Sequence, residues 1–574
     1  MFMTKHAPHL MHQGLRAIRR NAIAKLLRGV FGVELLRAGQ QDVIDSVLDG
    51  KDTLAIMPTG SGKSLCYQIP AKILPGTTVV VSPLISLMKD QLEKLHEIGI
   101  HAAQVNSSLS SDEEQDALDG IRTRRHEIVF CTPERLAQAE FLAVLKQVDI
   151  SLVAIDEAHC ISHWGHDFRP AYLEMAASIE ALGRPPVLAL TATATPDVVA
   201  DIAKQLGRSK LHVVNTGIYR PNLHYGVVQV TNPREKIGAA LRLVRDSNGF
   251  GIIYAATVKA AEEMLDELLA AGESATIYHG KLPARERKEN QDLFMEGQRR
   301  VMVATNAFGM GIDKSDTRFV IHLQVPANLE AYYQESGRAG RDGEDAWCTL
   351  LFLQDDKRLQ QFFLVKHYPD AVELMAVHEA VAALAKEGNG LVTFDRIHAA
   401  VDQIAPGKIK IALKLLKDGG LLRQNRSLAF LPVKAEPTAA LFGELAQVYA
   451  QKRERDRAAL EQMMAYAVSG FCRWKLMLDY FGDDVPGFEQ CCRCDNCSNP
   501  PAALAAIEAI EIRDDEFYRE PVAEVTAPAF EVGARVKVPK YDEGVVQATA
   551  GNQVTIGFPD DSVRTFIADF VEPA

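Results

Sequence analysis

The 574-residue sequence has no apolar run approaching the ~20 residues that a membrane-spanning helix needs, which excludes a bundle of such helices. The N-terminal stretch is not expected to act as a secretory leader. The stretch "MFMTKHAPHLMHQGLRAIRRNAIAKLLRGV" at 1–30 carries basic residues but neither a long apolar core nor an A-x-A site. Cysteine is scarce: nine residues, scattered except for "CCRCDNC" at 491–497. That usage excludes a disulfide framework and points to metal in a reducing compartment. An excess of positive charge is absent too. The net charge is −12, but 14 acidic against 6 basic residues from Ser498 onward account for −8 of it. The 497 residues before carry only −4, and a nearly balanced body has room for a local basic groove. What is present is ordinary for a soluble globular protein, 47% hydrophobic and 24% charged, in a chain too long for one core.

Short runs rich in Val, Ile, Leu and Thr occupy 53–58, 78–83, 127–132, 151–155 and 187–191, with helical patterns between them. The alternation predicts a parallel sheet wrapped by helices. It resumes at 250–256, 274–279, 299–305 and 318–324, so two α/β lobes are expected, joined around "IYRPNLHYGVVQV" at 218–230. After about residue 365 the strands stop. Residues 370–434 read as three helices and a hairpin, the order of a winged helix. Its third helix, "GKIKIALKLLKDGG", places Lys410, Lys414 and Lys417 on one face, with Ile409, Leu413 and Leu416 toward the core. Those lysines are either a nucleic-acid contact or a solvated face. Residues 437–481 are helical, and 531–574 alternate strand and turn.

The stretch "MPTGSGKSLCYQIP" at 57–70 lies between a strand and a helix. A phosphate-binding loop needs glycines so that backbone N–H groups reach phosphate oxygens, a lysine for the β/γ charge and a hydroxyl for Mg²⁺. Gly60, Gly62, Lys63 and Ser64 supply these, with Thr59 and Ser61 beside them; Met57 replaces the outermost glycine. In "SLVAIDEAH" a buried strand ends at Asp156, placed to hold Mg²⁺, and Glu157 is placed to orient or deprotonate the attacking water. In "QESGRAGRDG" at 334–343, Arg338 and Arg341 lie three apart, as on one helix face, suited to charge developing on a transferred phosphoryl group. These arginines belong to the other lobe, so hydrolysis would require the lobes to close.

Together with "VVVSPLISLMKDQ", "DEAHCISHWGHDFRPAY", "LTATAT" and "ATNAFGMGIDKSDTRFVIH", these motifs resemble the RecQ family of DNA helicases, in superfamily 2. The resemblance covers about 25–365 and, in modified form, reaches 500. It implies an α/β fold of two RecA-like lobes and an ATP-driven 3′-to-5′ DNA helicase acting on single-stranded and tailed duplex DNA in repair and recombination. A cytoplasmic, nucleoid-associated location follows. In that superfamily the outer position of the phosphate loop, held here by Met57, is often not glycine. The resemblance assigns a DNA-sensing loop to "CISHWGHDFRPAY", with Trp164, His166, Asp167, Phe168 and Arg169 as its carriers. It also puts Arg37 and Gln40 of "FGVELLRAGQ" at adenine and Gln334 near the nucleotide. Val33 and Leu36 stand where aromatics are common.

Cys491, Cys494 and Cys497 form a C-x₂-C-x₂-C pattern, and Cys472 lies upstream. Four thiolates suit a closed tetrahedral zinc site, and the family's zinc module shares the "CDNC" ending. Cys492 is surplus and is an alternative to Cys491. The expected order is a first lobe 1–222 with an N-terminal helix, a second lobe 223–365, a winged helix 366–434, a helical zinc-binding module 435–500, an acidic linker 501–530 and a small β-barrel 531–574. Bacterial members usually place the winged helix after the zinc module; here it precedes it, and its hairpin tip "RQNRS" lacks an aromatic wedge. The tail resembles the Tudor-like module of UvrD-type helicases, which implies a protein-docking role with RNA polymerase as a candidate. The competing readings are an ATPase that translocates or remodels without unwinding, and a winged-helix DNA binder with a relic ATP site. The intact Lys63, Asp156, Glu157, Arg338 and Arg341 disfavour the relic.

Overall fold

The computed structural model describes residues 19–162, 172, 175–308, 314–367, 369–387, 390–424, 429–433, 438–499, 530–538, 542–550, 553–559, 563–567 and 571–574. The chain divides into two compact units, 1–501 and 502–574.

The first lobe is built on seven parallel strands: β1 (Thr53–Ile56), β2 (Thr77–Val81), β3 (Ala102–Val105), β4 (Ile128–Cys131), β5 (Ile150–Ile155), β6 (Val187–Thr191) and β7 (His212–Asn215), in the order β3-β4-β2-β5-β6-β1-β7. Helices cover both faces, so the central strands are buried on both sides and read as continuous apolar runs. The edges escaped the sequence reading for the complementary reason. β7, "HVVN", is exposed at three of its four positions, and β3, "AAQV", has only one large apolar side chain.

The second lobe has six parallel strands: β8 (Leu223–Gln229), β9 (Phe250–Tyr254), β10 (Ala275–Tyr278), β11 (Val301–Ala304), β12 (Thr317–His322) and β13 (Ala346–Phe352), in the order β10-β11-β9-β12-β13-β8. Gly251 of β9 is required by packing: a Cβ there would fall 2.0 Å from the Phe319 ring on β12. β8 lies within the stretch read as the lobe junction, so the connection shortens to the residues between Asn215 and Leu223.

Helices Ala371–Glu387, Phe394–Ala400 and Pro406–Asp418 are followed by the hairpin β14 (Leu422–Gln424) and β15 (Phe430–Pro432), and Val392 bridges to Phe430. Ile409, Leu413 and Leu416 are buried, as the helical period requires. A 30-residue helix, Ala439–Val468, leads to the shorter helix Arg473–Phe481. Trp474, Met477 and Phe481 of the latter enter one core with Tyr225, Tyr332 and Tyr333 of the second lobe. The Trp474 indole N–H donates to the Leu223 carbonyl at 3.1 Å.

In the C-terminal unit, β16 (Arg535–Val538), β17 (Asp542–Ala550), β18 (Gln553–Gly557), β19 (Val563–Ile567) and β20 (Glu572–Pro573) pair as an antiparallel sheet in the order β19-β18-β17-β16-β20. Val536, Val546, Val554 and Ile556 form its small core.

Candidate active site and metal centre

The phosphate-type loop leaves β1 at Ile56 and enters the helix Leu65–Ile73. Met57 still extends the ladder between β1 and β6: its N–H donates to the Thr191 carbonyl at 3.0 Å, and its side chain is fully buried. No left-handed backbone is needed there, which is why a glycine is dispensable. Gly60 (φ 83°) and Gly62 (φ 78°) do adopt left-handed conformations. Lys63 donates to the Met57 carbonyl at 3.2 Å. Burial lowers its ammonium from the ordinary value, while the charges of Glu157 and Asp156 oppose that shift.

Asp156 follows β5, anchored by its N–H on the Val81 carbonyl at 2.8 Å. Burial first, and the Glu157 charge second, push its carboxyl up to about 7, with Lys63 pulling the other way. Glu157 sits at φ 49°, a conformation L residues rarely adopt and one that clusters at functional sites. The buried His159 ring holds this corner, with Nδ1 3.1 Å from Thr191 Oγ1 and 3.4 Å from Glu157 Oε2. Neither "DEAH" nor "LTATAT" alone reveals that His159 and Thr191 meet, because the contact spans 32 residues of chain.

The arginine segment differs from expectation. Its helix, Leu329–Ser336, ends before either arginine, with Gly337 at the C-cap. Arg338 and Arg341 therefore lie in the following turn, not on a helix face; the flanking glycines stop the helix. Glu335 fastens the end of the helix by accepting from the buried His322 at 2.8 Å. Arg338 Nε is buried with no hydrogen-bond partner among the described residues.

Arg37 and Gln40 are tied to the loop itself. Arg37 donates to the Gly60 carbonyl, and the Gln40 amide donates to the Ser61 and Gly62 carbonyls, both at 2.9 Å. The lobes meet here at van der Waals range: a Cβ on Gly60 would lie 3.2 Å from Arg341 Cγ, and one on Gly337 would lie 3.7 Å from Thr59 Cβ.

A cleft of about 430 Å³ runs between the lobes, within the range of small-molecule sites. Arg37, Gln40, Thr59, Gly60, Gly62, Lys63, Ser64, Asp156 and Glu157 line it from one lobe, and Gln334, Arg338 and Arg341 from the other. Ser61 is not a lining residue. Asp90, Gln91 and Lys94 of the helix Ile85–Glu97 and Ser315 also line it; the motif "SPLISLMKDQ" marks that helix, but only the fold turns these side chains to the cleft. Several cations facing two carboxylates suit a polyphosphate with a divalent ion.

The metal-ligating atoms of Cys472, Cys491, Cys494 and Cys497 all lie within 4.8 Å of one another. Cys492 is outside the cluster, exposed, at φ 56°. Backbone N–H groups of Cys491 and Arg473 donate to the sulfurs of Cys472 and Cys494 at 3.2 and 3.4 Å. Hydrogen bonds with Cys491 and Cys494 pull the Cys472 thiol well below its ordinary value, and those of Cys491 with Cys472 and Cys494 push the Cys491 thiol up. Four converging sulfurs with N–H donors behind them fit a closed zinc site. Of the residues expected at DNA, Trp164, His166, Asp167, Phe168 and Arg169 lie outside the described residues. Lys410 and Lys417 are exposed and Lys414 is half-buried; Lys410 sits over the Phe394 ring at 5.4 Å.

Two parallel-sheet lobes lining one cleft give the fold class, and the family comparisons agree with it. Residues 37–202 match the DEAD/DEAH box helicase family, 235–343 the helicase conserved C-terminal domain and 438–498 the RecQ zinc-binding family. The chain is 48% identical over 341 residues to the ATP-dependent DNA helicase RecQ of Bacillus subtilis (strain 168), covering 59% of this chain and 57% of that protein. It is 44% identical over 351 residues to the probable ATP-dependent DNA helicase RecS of the same organism, covering 60% and 70%. Its fold is similar to the Mycobacterium smegmatis helicase Lhr bound to ssDNA and AMP-PNP, with TM-score 0.50 and 21% identity over 74% of this chain and 60% of that one. The chain belongs to the RecQ family of ATP-dependent DNA helicases.

Proposed function

We propose that the protein is an ATP-driven 3′-to-5′ DNA helicase that translocates on single-stranded DNA and unwinds tailed duplexes. One observation carries the reading: a single cleft gathers Lys63, Asp156 and Glu157 from one lobe and Gln334, Arg338 and Arg341 from the other. Lys63 would neutralise the β/γ-phosphates. Glu157 would orient and deprotonate the attacking water, and Arg338 and Arg341 would stabilise charge on the transferred phosphoryl group. Ser64 and Asp156 would hold Mg²⁺, which when bound neutralises phosphate charge. Arg37, Gln40 and Gln334 complete nucleotide binding, with Thr59, Gly60, Ser61 and Gly62 forming the cradle. Because both lobes line one cleft, nucleotide turnover changes their separation, and that change moves the strand.

Trp164, His166, Asp167, Phe168 and Arg169 are assigned to single-stranded DNA, and Lys410, Lys414 and Lys417 to the duplex arm, where exposed lysines favour phosphate. Cys472, Cys491, Cys494 and Cys497 would hold a structural zinc. The C-terminal barrel is assigned to protein docking, with RNA polymerase the first candidate, and the enzyme to the nucleoid. Strand displacement on 3′-tailed and 5′-tailed duplexes, with RNA controls and ATPase rates, tests the proposal. Unwinding of only the 3′-tailed DNA supports it; DNA-stimulated ATPase without unwinding makes the protein a translocase. Trp164→Ala is expected to keep the basal ATPase and lose DNA stimulation; equal stimulation would remove the loop from DNA sensing.

A further inference from the structure

The connection between the lobes holds an arginine that the proposed chemistry has not used. Arg220 is 91% buried in a segment with no regular secondary structure. Its guanidinium donates to the carbonyls of Gly337 at 2.7 Å, Ala339 at 2.8 Å and Gly340 at 2.6 Å. Among the described residues no carboxylate pairs with it. A buried cation held only by carbonyl dipoles is costly, and a general stabilising role is met more cheaply by an apolar side chain.

The identity of the three carbonyls is informative. The Gly337 carbonyl belongs to the peptide unit that carries the Arg338 N–H, and the Gly340 carbonyl to the unit that carries the Arg341 N–H. Fixing those two planes fixes the N–Cα bonds from which both cleft arginines depart, leaving rotation about φ as the freedom at each branch point. Asn222, two residues on, donates to the Gly340 and Glu344 carbonyls, both at 2.8 Å. Gly340 itself is at φ 56°, and a Cβ there would fall 2.5 Å from the Asn222 amide nitrogen. The turn is therefore packed directly against the connection and tethered to it by these hydrogen bonds.

The connection is itself anchored. Thr216 donates its N–H to the Ile56 carbonyl at 3.0 Å, one residue before the phosphate loop. Asp483 accepts the Ile218 N–H at 2.6 Å, and Arg493 donates to the Pro221 carbonyl at 3.2 Å. We propose that Arg220, assisted by Asn222, is a positioning residue for ATP hydrolysis, presetting the turn that aims Arg338 and Arg341 at the phosphoryl group. Misplacing catalytic groups by about 1 Å costs up to ~10²-fold in rate. The fork geometry of arginine is needed because three divergent carbonyls are held at once, which a lysine cannot reproduce.

The inference rests on the proposed ATPase, and Arg220→Lys tests it at saturating single-stranded DNA. The kcat is expected to fall about 10- to 100-fold, with the KM for ATP and DNA affinity within about twofold. Affinity for ADP–aluminium fluoride should fall while that for AMP-PNP holds. In an Arg341→Ala background the same change should cost less than about threefold, because the two residues act as a unit. Asn222→Asp, which removes two donors without changing volume, should show the same pattern in milder form if Arg220→Lys does not fold. Wild-type kcat in both variants, equal loss of both nucleotide affinities, or a fully multiplicative double variant would overturn the assignment. A wild-type chain with no ATPase would refute the proposed function, and the positioning role with it.

Discussion

At the residue scale the strongest commitments concern charge. Lys63→Ala is expected to lower the ATPase by about 10²–10³-fold or more, the scale seen when one preorganised transition-state donor is removed. Glu157→Gln should still bind nucleotide but not cleave it. Steady-state turnover and fluorescent-nucleotide titration check the pair, and near-normal turnover in Lys63→Ala would sink the site. A different residue contributes to acid sensitivity. His126 is pushed down to about 4, first by burial, and neither ring nitrogen has a hydrogen-bond partner among the described residues. The fold keeps it neutral, whereas the unfolded chain binds a proton below its ordinary value near 6.5. The His126 contribution to the stability of the first lobe should thus fall as pH drops from about 6.5 towards 4, opposed by Asp156, whose raised carboxyl takes up its proton in the fold first. In thermal unfolding midpoints taken across the window, His126→Gln should lose less stability on acidification than the wild type; identical slopes in the two proteins would remove His126 from the acid response.

At the scale of elements, the metal cluster gives the sharpest test. Cys494→Ser should lose the zinc measured by elemental analysis, since a closed site left with three thiolates binds weakly. Cys492→Ser, exposed and outside the cluster, should keep a full complement. Structural zinc contributes about 10–16 kcal/mol of apparent binding energy in small metal domains, so the loss will be felt beyond the module. Trp474 and Phe481 share a core with Tyr225 and Tyr333, and the second lobe should melt earlier in the same variant. Legibility from sequence follows the same physics. Central strands were readable because burial on both faces demands apolar runs; β3, β7, β8 and β13 were not, being edge, short or alternating. Lys63, Asp156 and the cysteines were readable because their chemistry fixes residue type at short spacing. Arg220, His159 and Asp90 were not, since their roles depend on partners brought near only by the fold. The placement of Arg338 on a helix failed because a three-residue spacing does not reveal where glycines end that helix.

At the scale of the whole molecule, the last 73 residues form a unit with its own small core. Truncation at about residue 505 should leave DNA-stimulated ATPase and unwinding nearly intact, while pull-downs from cell extract lose a partner. The strands' own balance from Glu531 onward, 7 acidic against 4 basic residues, disfavours phosphate. A large, salt-dependent fall in DNA affinity on truncation would make the unit a nucleic-acid module instead. The junction of the second lobe with the cysteine module acts on another timescale. Trp474 reaches back to Leu223, and Asp483 to Ile218, across 251 and 265 residues of chain. During synthesis the aromatic face around Tyr225 and Tyr332 is made long before the helix that covers it. At ordinary elongation rates the wait is on the order of tens of seconds. Slow closure of such distant pairs is where nascent chains aggregate. Expression yield should therefore depend on chaperone supply during that interval more than on the stability of the finished fold.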